Sequence, residues 1–362
     1  MSTHSQPDEA AIAKFLSQTE FAAAAFTPIA GDASTRSYRR ARIGDKSAIL
    51  LLAPPAAEAP ECPPDASPEE RARLGYNACA RLAGPNLTAF TAIARVLRDV
   101  GLSAPAIYAD DPAKGFALIE DLGDDLYVKS ASGDDEAPLY ENAVRALVHL
   151  HHAAPPPPRQ ANYRMLSYDA TAMRAETHLL MEWYWELKTG HAPSADLIAQ
   201  YQGLFDAAIA RLSAPSAIVL RDYHAENLLW LPHRDGVARV GIIDFQDGLI
   251  GHGAYDLVSL LEDARRDVAI DLQQAMIDFY VKDASQSIDN FDTDQFMLDY
   301  NILAAQRNAK ILGIFARLYL RDKKNRYLDF LPRVEAHFAR DLKRAGLEDI
   351  SKFMTSHMAV FS

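Results

Sequence analysis

Residues 221–227 read RDYHAEN, and residues 242–245, at the end of an apolar segment, read IIDF. Phosphoryl transfer to a hydroxyl needs an Asp that holds and deprotonates the acceptor, and an Asn five residues later that binds a metal. Asp222 and Asn227 have this spacing. A second carboxylate must arrive on a separate strand to hold Mg²⁺ against the nucleotide phosphates, and Asp244 follows such a strand. The pattern predicts phosphoryl transfer, with Asp222 as the base and Asn227 and Asp244 as metal ligands.

The sequence around these residues supports the prediction. An Asp and an Asn five residues apart also occur by chance, for instance in a hairpin that carries two acids. Here, however, apolar residues 218–220 precede the loop and apolar residues 228–230 follow it. A turn rich in Pro, His, Arg, Asp and Gly then leads to the strand before Asp244. Because a motif is tested by its structural setting, this context favours the catalytic interpretation.

The composition restricts the class of partner. With 362 residues, 49% of them hydrophobic, the chain can bury a large core and exceeds the size at which single cores usually divide. The net charge of −12 argues against nucleic acid or an anionic membrane as the main partner and favours a small-molecule substrate. No obligate protein partner is evident. Two cysteines are too few for a disulfide framework or a cysteine-based zinc site.

The beginning of the chain carries no targeting pattern. Residues 1–10 are polar, and no basic segment leads into an apolar one. No apolar run approaches the roughly 18 residues of a membrane span. We therefore expect a cytoplasmic protein with no membrane anchor.

The first part of the chain, residues 1–121, predicts a small nucleotide-binding lobe rich in strands. Helices are expected at residues 8–19 and 87–100, and strands at residues 26–30, 37–43, 47–52, 106–108 and 116–119. A turn at Gly31–Ser34 separates the first two strands. Residues 53–68 are crowded with Pro and Ala, so they predict a loop until Pro68 can begin a helix.

The remainder, residues 122–362, predicts a larger helical lobe that contains the catalytic hairpin and the substrate site. Helices are expected at residues 137–152, 168–187, 195–212, 256–263, 270–283, 294–319 and 327–346. The predicted class is α+β, with two lobes.

Several motifs extend the argument to a family. The small β lobe, the acidic connector and the helical lobe together resemble the aminoglycoside phosphotransferase and choline kinase superfamily, a branch of the protein-kinase-like fold, over nearly the whole chain. More specific motifs resemble the bacterial anomeric N-acetylmuramate/N-acetylglucosamine kinases: GDASTRSYR at 31–39, EDLGD at 120–124, LHH at 150–152, EWY at 182–184, AQRN at 305–308 and GIFARL at 313–318.

This resemblance implies an activity and a division of the site. It implies ATP- and Mg²⁺-dependent phosphorylation of the C1 hydroxyl of a free amino sugar in peptidoglycan recycling, which bypasses de novo precursor synthesis and hence fosfomycin sensitivity. The connector from Glu120 to Leu122 would pair with adenine through its backbone. The turn that contains Gly31 and Ser34 would cover the phosphates with N–H groups.

The sequence also departs from the kinase pattern. The third strand, residues 48–52, lacks the Lys that contacts the phosphates, and helix 87–100 lacks an obvious Glu partner for it. Another cation must then meet the phosphates. Arg36 and Arg40 are the candidates, although solvated strand charges explain them equally well.

Three residues are candidates for contact with the sugar. Glu176 lies on an apolar helix face, where it either binds sugar hydroxyls or forms a structural ion pair. Trp183 either stacks on a sugar ring or belongs to the core. Arg307 also shares an apolar face, and it binds either an anion, such as the lactyl carboxylate of N-acetylmuramate, or a structural acid.

Three other functions compete. An aminoglycoside-modifying kinase would suit an acidic chain, but Arg307 on an inward face favours an anionic sugar. A nucleotide-binding pseudokinase that regulates a partner would explain the missing Lys, but Asp222, Asn227 and Asp244 are all retained. A glycosidase that uses Asp222 and Asp244 as acid and nucleophile would leave Asn227 unexplained.

Overall fold

Five antiparallel strands form the sheet of the small lobe. The computed structural model describes residues 8–29, 36–54, 62–82, 87–153 and 163–358. The strands are β1 (Ala25–Ile29), β2 (Ser37–Ile43), β3 (Lys46–Leu52), β4 (Ile107–Asp111) and β5 (Phe116–Glu120), in the order β1-β2-β3-β5-β4. The five predicted strands are confirmed, with ends that differ by a few residues.

Each face of this sheet is covered by a helix. Ala48, Leu50 and Leu52 of β3 pack on the side of helix α1 (Glu9–Leu16). The alternate residues Ile49 and Leu51 face helix α3 (Leu87–Asp99). Side chains alternate between the two faces of a strand, and because both faces of β3 are buried, all of these residues are apolar.

The chain between β3 and α3 leaves the sheet and packs on the helical lobe. Helix α2 (Pro68–Leu74) begins at the predicted proline, and Ser67 caps it. A π-helical segment, Asn77–Arg81, follows. Arg71 of α2 forms an ion pair with Asp169 at a distance of 2.6 Å, which attaches the segment to the helical lobe. Residues 55–61 and 83–86 lie outside the described residues.

Helices dominate the rest of the chain. They are α4 (Tyr127–Ser130), α5 (Glu136–Ala153), α6 (Ala170–Leu179), α7 (Trp185–Thr189), α8 (Ala195–Ile209), α9 (Ala254–Leu261), α10 (Ile270–Ser287), α11 (Thr293–Leu320), α12 (Leu331–Arg344) and α13 (Glu348–His357). A π-helical segment, Leu180–Tyr184, joins α6 to α7. The predicted helices are confirmed, whereas α4 and α13 were not predicted. None of the described helices is long and apolar enough to cross a membrane.

Candidate active site

Two short hairpin-like pairs bring the predicted catalytic residues together. Strand β6 (Ala217–Val219) pairs with β9 (Leu249–Gly251), and β7 (Leu228–Trp230) pairs with β8 (Val240–Ile242). The loop from β6 to β7 carries Asp222 and Asn227, and the loop from β8 to β9 carries Asp244. The backbone N–H of Ile243 donates to the carbonyl of Asn227 at 3.0 Å, so the two loops run side by side. We name residues 220–227 the catalytic loop and residues 243–248 the metal loop.

Each loop holds one residue in a left-handed backbone conformation. The φ angles are 70° at Arg221 and 58° at Asp244. Such angles cost a non-glycine residue about 1–3 kcal/mol, so the surrounding contacts must maintain them. The N–H groups of Leu220 and Arg221 donate to the buried carboxylate of Asp256, at 2.6 and 2.8 Å. One angle turns the chain at Arg221, directly before Asp222, and the other turns it at Asp244 itself.

The three predicted residues lie within contact distance of one another. The Nδ2 atom of Asn227 donates to the carbonyl of Asp222 at 2.9 Å and lies 3.4 Å from Oδ2 of Asp244. Burial and the charge of Asp222 raise the pKa of Asp244, while a hydrogen bond from Gln246 and the charge of Arg36 oppose that rise. Two carboxylates that repel each other in a buried cleft are the arrangement that a bound cation stabilises.

These residues suit Mg²⁺ in particular. Carboxylate and amide oxygens are the hard ligands that Mg²⁺ prefers, and phosphoryl-transfer enzymes bind it through one or two carboxylates together with substrate phosphates. Asp244 and Asn227 would supply such oxygens. The described residues contain no cluster of three or more His, Cys, Asp or Glu with the geometry of a metal site. Because Asp244 and Asn227 supply only part of a coordination shell, they fit an ion whose other ligands come from the nucleotide phosphates.

Arg221 connects the catalytic loop to a buried ion cluster. Its Nη2 atom pairs with Oε1 of Glu176, which also lies 2.9 Å from Nζ of Lys310. The other oxygen of Glu176 accepts from Tyr168 and Gln306. Burial would raise the pKa of Glu176, but Lys310 and Arg221 hold it below its usual value. Of the two alternatives for Glu176, this geometry corresponds to the structural ion pair, behind the catalytic loop.

Asp256 supports the same loop from helix α9. Its side chain is fully buried, and its two oxygens accept the two backbone N–H groups described above. Burial raises the pKa of Asp256 to about 7, against the effect of those hydrogen bonds. Asp256 is thus a structural residue that fixes the backbone next to Asp222.

A cavity opens beside Asp222. Its volume is about 440 Å³, including solvent space at its open mouth. The lining includes Asp222, Arg265, Arg307, Lys310, Tyr255 and Phe315. Lys310 pairs with Glu176, and Arg265 pairs with Glu226 at 3.2 Å. The wall next to the predicted base therefore carries several cations, of which Lys310 and Arg265 already have carboxylate partners.

Arg307 differs from the other cations of this wall. It is 5% exposed, and its guanidinium donates to Oγ of Ser259 at 2.9 Å and to the carbonyl of Glu262 at 3.4 Å. Both acceptors are neutral, and no carboxylate among the described residues forms an ion pair with Arg307. A buried guanidinium without a directly paired carboxylate is suited to bind an anionic group of a ligand.

Neither the candidate Trp183 nor His224 of the catalytic loop lines the cavity. Trp183 is partly buried and packs against the hydrophobic core around α11, which corresponds to the core alternative. His224 is buried near Asn227, and burial lowers the pKa of its imidazole to about 3. His224 is accordingly neutral and serves as packing for the loop.

The nucleotide side contains the two predicted cations in different settings. Arg40 is tied to the connector, with Nε 2.7 Å from Asp121 and Nη2 2.8 Å from Asp124. Arg36 instead acts on the metal loop, since its charge opposes the rise in the pKa of Asp244. Gly31 and Ser34 lie outside the described residues. Of the two arginines, Arg36 is the one whose charge acts on Asp244.

The connector that was predicted to bind adenine follows β5. The side chain of Glu120 is engaged by Arg98 and Arg234, at 3.3 and 2.5 Å, and its backbone N–H donates to the carbonyl of Ala106 at 2.8 Å. The side chain of Leu122 faces Gly241 of β8, where an added Cβ would lie 3.4 Å from Leu122 Cδ1. The lack of a side chain at Gly241 keeps space beneath the connector.

Sequence reasoning missed two contacts of the metal loop. Phe245 stacks on Phe90 of α3, with ring centroids 4.9 Å apart. Asp247 pairs with Arg81 of the π-helical segment at 3.0 Å. An acid three residues after Asp244 is a visible signal, but nothing in the sequence near Arg81 relates it to that acid, because 166 positions separate them.

This geometry defines the class of protein: a phosphotransferase with the protein-kinase-like fold, in which one loop carries the predicted acceptor base and a second carries the predicted metal carboxylate. The model of the phosphotransferase enzyme family APH matches residues 25–291, and the chain belongs to that family.

Individual relatives and structures agree with this assignment. The chain is 44% identical over 339 residues to an N-acetylmuramate/N-acetylglucosamine kinase of Caulobacter vibrioides, covering 92% of each chain. It is 29% identical to a protein of the same name from Pseudomonas putida, covering 88% of this chain and 84% of that one. A microcompartment-associated aminopropanol kinase shares the fold, with a TM-score of 0.58, 13% identity, and coverage of 97% and 98%.

Proposed function

We propose that this phosphotransferase uses ATP and Mg²⁺ to phosphorylate the anomeric C1 hydroxyl of N-acetylmuramate and N-acetylglucosamine. The single observation that carries the proposal is the cavity beside Asp222, whose wall contains the buried Arg307 without a paired carboxylate. The names of the curated relatives support the same substrates. We place the reaction in the cytoplasm, as part of peptidoglycan recycling.

Each residue of the site has a role in this reaction. The carboxylate of Asp222 accepts a hydrogen bond from the C1 hydroxyl, directs its oxygen toward the γ-phosphate and takes the proton. As the new P–O bond forms, the bond between the γ-phosphorus and the β,γ-bridging oxygen breaks, and ADP leaves with that oxygen. Asn227 and Asp244 would hold Mg²⁺, which when bound neutralises charge on the phosphates. The backbone of Glu120 and Leu122 would receive the adenine. Arg36 would stand in for the absent strand lysine and meet the phosphates.

The charge of the cavity separates the sugar from the aminoglycoside alternative. Four cationic side chains and one acid line it: Arg221, Arg265, Arg307, Lys310 and Asp222. Glu176 pairs with Arg221 and Lys310, and Glu226 pairs with Arg265, so Arg307 is the lining cation without a directly paired carboxylate. It can form a charge-assisted pair with the lactyl carboxylate of N-acetylmuramate, a group that a polycationic drug does not offer. N-Acetylglucosamine lacks that carboxylate, so it would use only the remaining contacts.

The activity is tested by incubating the protein with Mg-ATP and one acceptor, N-acetylmuramate, N-acetylglucosamine or kanamycin, and following ³¹P NMR. We expect a sugar 1-phosphate doublet with either sugar and none with kanamycin. Phosphate on kanamycin alone would overturn the proposal. Nucleotide binding without turnover on any acceptor would instead support a pseudokinase.

The role of Arg307 is tested by comparing the two sugars in Arg307→Gln. Loss of a charge-assisted hydrogen bond of about 1.5–3 kcal/mol should raise the KM for N-acetylmuramate on the order of 10–100-fold. The KM for N-acetylglucosamine should stay close to that of the unchanged protein. Arg317→Gln, on the same helix but outside the cavity lining, is the control. Equal loss with both sugars would contradict carboxylate recognition.

A further inference from the structure

A forked ion pair fixes the metal loop to a segment of the small lobe. Nε of Arg81 donates to Oδ2 of Asp247 at 3.2 Å, and Nη2 lies 3.0 Å from both carboxylate oxygens. Arg81 is the last residue of the π-helical segment between β3 and α3, and Asp247 is three residues after Asp244. A guanidinium fork constrains the distance and the plane of its carboxylate, which a single ammonium contact does not.

The backbone of the same residue reaches the other loop. The carbonyl of Arg81 accepts a hydrogen bond of 3.1 Å from Nη1 of Arg221, the residue before Asp222. Arg81 thus contacts the metal loop through its side chain and the catalytic loop through its carbonyl. Its position is set by the segment that Arg71 attaches to Asp169. Arg81 therefore contacts both the loop that carries Asp222 and the loop that carries Asp244.

The charge of Asp247 explains why a partner is needed. Asp222 and Asp247 both add negative charge around Asp244. Burial would raise the pKa of Asp247, but Arg81 and Arg221 hold it below its usual value, so Asp247 is ionised. Without Arg81, the ionised Asp247 would lose its partner, and the metal loop would lose the contact that fixes it to the π-helical segment. The fork therefore compensates the charge of Asp247 and holds the metal loop in place.

We infer that Arg81 is a positioning residue for phosphoryl transfer, which through its fork with Asp247 fixes the loop that presents Asp244 to Mg²⁺. This inference rests on the proposed function, in that it assigns Mg²⁺ to Asp244. It does not depend on which sugar accepts the phosphate.

The main test is a Mg²⁺ titration, which needs no sugar substrate. Binding of the non-hydrolysable analogue AMP-PNP is measured against Mg²⁺ concentration for the unchanged protein, Arg81→Met, Asp247→Asn and the double variant. Arg39→Met is the matched control, since Arg39 forms the same fork with Glu9, also in the small lobe, and Arg39 and Arg81 are both 24% exposed. Thermal unfolding of each variant verifies that it is folded, and kcat and KM are measured with N-acetylmuramate.

We expect Arg81→Met to raise the half-saturating Mg²⁺ concentration roughly 10–100-fold and to lower kcat by a similar factor, as for groups that orient a metal ligand. The sugar KM should stay unchanged, and the double variant should be no worse than the more damaged single variant. An unchanged Mg²⁺ requirement in Arg81→Met, an equal shift in Arg39→Met, or additive losses in the double variant would each overturn the inference. If the unchanged protein phosphorylates neither sugar but the Mg²⁺ shift is present, the proposed substrates fail and the inference stands.

Discussion

The ring of Phe90 stacks on the ring of Phe245, with centroids 4.9 Å apart and an angle of 21° between the planes. Phe90 belongs to α3 and Phe245 directly follows Asp244, so the contact joins the helix of the small lobe to the metal loop. In protein kinases a Lys–Glu ion pair joins the third strand to this helix. Here the third strand is apolar throughout residues 48–52, and an aromatic stack lies between the helix and the loop.

Phe90→Ala tests whether this stack supports catalysis. Removal of a buried phenyl ring should lower the free energy of unfolding by about 3–5 kcal/mol, and kcat should fall because Phe245 loses its neighbour. Urea unfolding and steady-state kinetics measure the two effects. Phe116→Ala is the control, since Phe116 is buried on the sheet face that packs against Phe15. If Phe90→Ala and Phe116→Ala lose the same stability and the same fraction of kcat, the stack contributes only core packing.

Asp222→Asn should remove the proposed base and leave nucleotide binding intact. The amide is nearly isosteric but cannot take a proton, so kcat should fall on the order of 10²–10⁴-fold. Single-turnover transfer and ATP affinity separate the two steps. Asp235→Asn, at an exposed position of the β7–β8 turn, should behave like the unchanged protein. Turnover within tenfold of normal in Asp222→Asn would refute the assignment of the base.

Glu176→Gln should destabilise the fold more than it weakens sugar binding. Without the carboxylate, Arg221 and Lys310 are left close together and buried without a countercharge, which costs about 3–5 kcal/mol. Chemical unfolding measures this loss, and Glu182→Gln on the adjoining π-helical segment is the exposed control. A raised sugar KM at normal stability would point instead to direct contact between Glu176 and the substrate.

Glu176 also shows where sequence reasoning ends. Its position among apolar residues at helical spacing predicts burial, and it is fully buried. Its partners are Arg221, 45 positions later, and Lys310, 134 positions after Glu176, and no local pattern relates such distant positions. Asp222 and Asn227 could be predicted because one loop carries both. The strands and the longer helices could be predicted because their periodicity is local.

The elements that were missed are short or depend on tertiary contacts. Helix α4 has only four residues, too few to show a period. The π-helical segment at Asn77–Arg81 lies in a stretch whose conformation is set by contact with the helical lobe. The forks of Arg40 with the connector and of Arg81 with Asp247 likewise depend on how the two lobes meet. The sequence alone therefore could not predict which side chains pair where the two lobes meet.

The pH dependence of stability should contain a contribution from Asp256. Burial raises the pKa of Asp256 from 3.8 to about 7, so the folded state binds a proton that the unfolded state has released. The stabilisation is complete below the unfolded-state pKa and is lost as pH rises through about 7, with a slope of up to about 1.4 kcal/mol per pH unit. Urea unfolding of the unchanged protein and of Asp256→Asn at pH 5 and pH 7 measures it.

The informative quantity is the difference in unfolding free energy between those two proteins. It should be larger at pH 5 than at pH 7, because only the unchanged protein carries the titrating group. Asp256→Asn should also be less stable at both values, since its amide nitrogen cannot accept the N–H of Leu220 or Arg221. A difference that does not vary with pH would mean that Asp256 stays ionised throughout.

Gly313→Ala should separate two helices that the site depends on. A Cβ at Gly313 of α11 would lie 2.3 Å from the backbone carbon of Leu179 and 2.5 Å from its oxygen, and main chain cannot move aside as a flexible side chain can. Overpacking of this kind costs about 1–3 kcal/mol. Because α11 also carries Lys310, its displacement from α6 should lengthen the contact with Glu176 and lower kcat.

Gly203→Ala provides the matched comparison for that substitution. Gly203 lies within α8, and nothing is found within 4 Å of its added Cβ. The same change should therefore stabilise the protein by about 0.4–1 kcal/mol, because alanine restricts the unfolded chain. Urea midpoints at constant m-value and kcat measure both variants. Equal stability of the two variants would show that α11 and α6 can move apart at no cost, in which case the contact between Glu176 and Lys310 could not depend on the close approach at Gly313.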